Sequence, residues 1–111
     1  MLLHFKQFEE MEVWQDARRL TSHAQFTHDF SLRDQIQESA VSVMSNISEG
    51  YERESRKDFI LHLRYAKGSV GELRCQLYVA VDLGYMTEVM HLQISTPAIS
   101  VSRQLSQFIL Y

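Results

Sequence analysis

Between residues 59 and 80 the apolar positions Phe59, Leu63, Ala66, Val70, Leu73, Leu77 and Ala80 follow one another at steps of four and three. An α-helix puts such residues on one face, and a stripe this long must be buried against other helices. The flanking residues agree. Ser55 precedes the stripe as an N-cap, with Asp58 three positions on as in a capping box. Gly84 follows it as a left-handed residue that ends a helix. The pattern predicts a helix over about 56–83.

Three further segments carry the same period. Leu32, Ile36, Ala40, Val43 and Ile47, extended by Tyr51, predict a helix over about 32–53, with Ser31 as cap and Asp34 three on. It is rich in small residues (Ser39, Ala40, Ser42, Ser45, Ser48), which permit close helix approach at some loss of helix propensity. Val13, Ala17, Leu20 and Ala24 predict a helix over about 9–27, with Glu9, Glu10 and Glu12 at the positive end of its dipole. Ile94, Ala98, Val101, Leu105 and Phe108 predict a fourth over about 87–110, capped by Thr87. Pro97 either kinks that helix or starts a new one with Thr96 as cap. With only four Gly and one Pro, a fold of many tight turns is excluded. Short joints make consecutive helices antiparallel neighbours. The expected fold is all-α: an antiparallel up-down-up-down four-helix bundle, in one domain spanning residues 1–111.

Composition bounds the function. The formal charge is −3, so a nucleic-acid role needs a local patch rather than an overall positive excess. Cys75 is the lone cysteine, which excludes an intrachain disulfide and fits a reducing compartment. No signal peptide and no membrane-spanning run is legible, so the expected location is the cytoplasm.

The stretches "MEVWQDARRL", "SVMSNISEGYERESRKDFILHLRYAKGSVGEL" and "DLGYM" resemble the family of four helix bundle proteins. Its members include proteins encoded by intervening sequences in bacterial large-subunit ribosomal RNA genes. The resemblance covers nearly the whole chain and is densest from Ile36 to Tyr85. It implies an antiparallel four-helix bundle and a homopentamer. It implies no established enzymatic activity and no cofactor. A distantly similar protein accompanies retroelement reverse transcriptases and binds nucleic acid, which implies an accessory role. Trp14, Asn46, Glu49, Gly50, Tyr51, Gly84 and Tyr85 belong to the family pattern, with structural or interface roles. Two places depart from it. Met44 stands where the family has Pro, and should leave helix two straighter. The link "FTHDFSLRDQ" is shorter than usual and lacks the family's Phe-Pro.

The chemistry-bearing residues point to binding rather than reaction. Lys57, Arg64, Lys67 and Arg74 fall within an arc of about 100° on helix three, off its apolar stripe, with Arg53 and Arg56 at the adjoining turn. Residues 53–74 hold these six cations against Glu54, Asp58 and Glu72, a local charge of +3 in a chain of −3. Such a row suits phosphates; a solvated face, or pairing with acids of another subunit, would use it equally well. Glu88 and His91 have Glu-x-x-His spacing, but no second such motif exists for a di-iron site. Asp58 and His62 lack a third ligand, and the histidines are expected at the surface. Cys75 is expected to be partly buried. Gly68 and Gly71 are expected to let a neighbouring helix pack closely. Ile60, Leu61, Val79 and Val81, with Trp14, Tyr65 and Tyr78 at the stripe edges, give more apolar surface than one bundle core needs. Self-association is the expected consequence.

Overall fold

The computed structural model describes residues 7–22 and 30–110. Four helices follow a short 3-10 turn, Phe8–Glu10: α1 (Glu12–Ser22), α2 (Phe30–Glu52), α3 (Arg56–Asp82) and α4 (Glu88–Leu110). α1 packs on α2 and α4, and α3 packs on the same two helices. The result is a closed four-helix bundle without diagonal contacts among the described residues.

The predicted stripes form its interior. On α3, all seven positions from Phe59 to Ala80 are buried. Ile36, Ala40, Val43 and Ile47 of α2 meet Val13, Ala17 and Leu20 of α1 and Ile94, Ala98, Val101 and Leu105 of α4 in one apolar cluster. The end of α3 is a Schellman motif. Gly84 has φ +77°, its N–H donates to Val81 O (2.9 Å), and the Tyr85 N–H donates to Ala80 O (2.8 Å). Thr87 caps α4, its Oγ1 accepting the Met90 N–H at 3.2 Å.

Several boundaries differ from the sequence expectation. α1 begins at Glu12, not near residue 9, because Met11 is extended (φ −73°, ψ 124°) and separates Glu9 and Glu10 from the helix. The fully buried Met11 side chain anchors that break. The expected end of α1, with Ala24, lies outside the described residues. α2 already includes Phe30, so Ser31 is a helical residue and not the cap. α2 is unbroken at Met44. Pro97 lies inside one continuous α4, so Thr96 starts no new helix.

Candidate functional site

The turn from α2 to α3 determines what the first turns of α3 present. Arg53 N–H donates to Glu49 O and Glu54 N–H to Tyr51 O, both at 3.2 Å. Glu54 takes the left-handed conformation with φ 60°, where a Cβ costs about 1–2 kcal/mol. Ser55 then returns to extended backbone, and its Oγ accepts the Asp58 N–H at 3.3 Å. The cap expected at Ser55 is therefore present.

Close packing makes this sharp turn possible. Gly50 is buried, and a Cβ there would lie 2.7 Å from His62 Cβ and 3.3 Å from Phe59 O. Next to it a polar clamp joins the two helices. The Asn46 amide donates to Ser42 O (2.9 Å), which turns its Oδ1 towards His62 Nδ1 at 3.1 Å. His62 thus donates from Nδ1, and Glu49 Oε2 lies 4.0 Å from the same nitrogen. Further along, Ser42 and Ser69 hydroxyls pair at 2.8 Å, and Ser39 donates to Gln76 Oε1 at 2.9 Å. The α2–α3 contact is stitched by side-chain hydrogen bonds at Ser39, Ser42 and Asn46. That seam was not anticipated; the signal was there in the three-and-four spacing of small polar residues opposite a seven-residue repeat of His62, Ser69 and Gln76.

The six predicted cations differ in their partners and exposure. Arg53 pairs with Glu49 (3.1 Å) on α2. Lys67 donates to Ser102 Oγ (2.8 Å) on α4, and Arg74 is half-buried. Arg56, Lys57 and Arg64 remain exposed, with no acidic partner among the described residues. These three ring a shallow open cleft floored by Ile60 and Leu61. A larger groove between α1 and α2 carries the carboxylates of Asp34 and Glu38, the wrong sign for phosphate.

The outward side of α3 continues past this cleft as a second stripe. Leu61, Tyr65, Gly68, Glu72, Cys75 and Val79 again step by four and three, and all are exposed. Two expectations fail here. Gly68 and Gly71 pack against no other helix among the described residues, since a Cβ on either would meet nothing within 4 Å there. Cys75 is exposed rather than partly buried. Both errors have one cause: these residues lie away from the buried stripe, where no other described helix covers them.

A family model, the 23S rRNA-intervening sequence protein, matches residues 9–107. The chain belongs to the 23S rRNA-intervening sequence protein family. A crystal structure of an S23 ribosomal protein family member from Bacteroides thetaiotaomicron VPI-5482, described as of unknown function, shares its fold. The two have a TM-score of 0.82 and 24% sequence identity, over 89% of this chain and 99% of that one. No curated protein matches this chain significantly.

Of the seven family-pattern residues, Trp14, Gly50 and Tyr51 are buried, Asn46 is half-buried, and Glu49, Gly84 and Tyr85 are exposed. Trp14 is buried, not at a free edge; its ring meets Phe8 edge-on at 5.2 Å and carries Arg18 5.8 Å above it. Its Nε1 is buried without a hydrogen-bond partner among the described residues. Tyr51 is buried under Phe8, at 6.5 Å between ring centroids. Desolvation raises the pKa of its hydroxyl above 10.0, and the charges of Glu10, Glu52, Glu54 and Glu9 add to the rise. Asn46, Glu49 and Gly50 organise the α2–α3 junction, while Gly84 and Tyr85 close α3. Tyr65 and Tyr78 are exposed as expected of stripe-edge residues.

The histidine expectation needs correcting. His62 is buried in the clamp, with Nδ1 on Asn46. His91 is half-buried against Tyr78 (ring centroids 4.8 Å apart), and its Nε2 is buried without a partner among the described residues. Among the described residues no group of three or more His, Cys, Asp or Glu could hold a metal ion. His4, His23 and His28 lie outside the described residues. No described helix is long and apolar enough to cross a membrane.

Proposed function

We propose that this protein is a non-enzymatic binding protein that assembles with its own copies and holds nucleic acid at the cationic end of α3. The observation that carries this reading is the cleft itself. Arg56, Lys57 and Arg64 stand exposed and without acidic partners among the described residues, around Ile60 and Leu61, in a chain that is net acidic. Unpaired cations grouped on a rigid helix attract phosphates, and their field survives an overall negative charge because screening confines it to about 10 Å.

Self-association is supported by the rest of the outward stripe. Tyr65 and Val79 on it are 53 and 41% exposed, and Tyr78 to one side of it is 57% exposed, near two surface glycines that leave room for another backbone. Assembly would place several clefts on one particle, so weak single contacts would add as avidity.

The test is a salt titration of labelled RNA and DNA by fluorescence anisotropy, together with light scattering to count copies. Three phosphate contacts per cleft give a slope of log K against log salt of about −2 for single strands. Arg56→Glu with Arg64→Glu should abolish binding. The charge-matched Arg18→Glu with Arg103→Glu should leave it. No binding at low salt would overturn the nucleic-acid half. Assembly without binding would favour the second reading, a protein-interaction module served by the apolar stripe alone.

A further inference from the structure

We infer that the α3 cleft takes single-stranded nucleic acid, with a base laid on Ile60 and Leu61 and the flanking phosphates on Arg56, Lys57 and Arg64. This inference rests on the nucleic-acid reading above and narrows it to one form of ligand.

Three features carry it. The first is the floor. Ile60 is half-buried against the core, and Leu61 is 43% exposed, so the space between the cations is apolar and open. Duplex surfaces present mainly phosphates, sugars and hydrogen-bonding base edges, which gain little from an apolar floor beyond contact with a thymine methyl. An unstacked base presents an apolar face, and single strands offer such faces freely.

The second is the reach of the cations. Lys57 and Arg64 lie seven residues apart on one helix, about 10 Å along its axis. That length spans only about three stacked steps of a duplex strand. Lys67 and Arg74, which would have lengthened the track, lie towards α4, where Lys67 is bonded to Ser102. A long duplex footprint therefore finds few unpartnered cations to follow along the described part of α3, whereas a short flexible segment can wrap around a compact trio.

The third is stiffness. Ser55 caps the helix, and Gly50 lets α2 press against Phe59 and His62 directly behind the cleft. The three cations are thus mounted on backbone that does not have to be ordered on binding.

The experiment is a competition at low salt between an oligouridine, a DNA duplex of equal phosphate number and a polyglutamate peptide of equal charge. The oligouridine is expected to win by about tenfold over both competitors. Leu61→Ser, at an exposed position that should not disturb folding, is expected to weaken oligouridine binding roughly threefold to tenfold and leave duplex binding unchanged. Ile60→Ala should act in the same direction, with circular dichroism to show that it is folded. Duplex binding as tight as oligouridine binding, or a Leu61→Ser variant that weakens neither or both equally, would overturn this inference while leaving the broader reading intact. Binding of neither nucleic acid, or polyglutamate as the best competitor, would overturn both.

Discussion

The two sides of α3 carry the same rhythm and meet different fates. Inward, Phe59, Leu63, Ala66, Val70, Leu73, Leu77 and Ala80 step by four and three and are buried. Outward, Leu61, Tyr65, Gly68, Glu72, Cys75 and Val79 keep the same steps and are exposed. The inward stripe holds only apolar residues, His62 and Ser69 being buried at its margin, and the fold accounts for every one of them. The outward side mixes apolar, small and charged residues, and nothing inside the chain requires it. Periodicity thus identifies a face, but it does not say what covers that face.

The contrast can be broken most sharply by truncation. Leu73→Ala, at a position 1% exposed, should cost about 3 kcal/mol of unfolding free energy. Leu61→Ala on the other side should stay within about 0.5 kcal/mol. Denaturant titration of both variants checks this, and similar losses would mean that the outward stripe is as structural as the inward one.

Gly50→Ala comes next in size. The added Cβ must displace His62 Cβ and the Phe59 backbone, neither of which is the free end of a flexible chain. A loss of about 2–3 kcal/mol is expected in the same titration, despite the better helix propensity of Ala. A neutral result would show that the α2–α3 junction is looser than the clamp of Asn46 and His62 suggests.

The smallest effect has the opposite sign. Gly71→Ala has open space for its Cβ and should stabilise the isolated bundle by about 0.5–1 kcal/mol. The same change should weaken self-association, read by sedimentation across protein concentrations. If association is unchanged, the surface glycines do not serve a contact between copies.

Much of this was legible in the sequence, and the failures share a cause. The α3 stripe, Ser55 as cap and Gly84 as terminator are local features, and each follows from period or backbone chemistry alone. Burial of Cys75 and packing of Gly68 and Gly71 depended on where neighbouring helices lie, which period does not specify. The basic arc suffered likewise. Lys67 and Arg74 share it with Lys57 and Arg64, yet the first pair lies on the side that faces α4. The hydroxyl seam of Ser39, Ser42 and Ser69 escaped notice because serines read as surface residues until their partners across the interface are known.

The central claim is that the free cations at the start of α3 are the contact point for nucleic acid. Lysine acetylation, read by mass spectrometry with and without oligouridine at low salt, tests it directly. Lys57 stands in the cleft, while Lys67 is ten residues further on and bonded to Ser102. The account predicts that oligouridine protects Lys57 severalfold and leaves Lys67 unchanged. Unchanged acetylation of Lys57, or equal protection of both lysines, would contradict it.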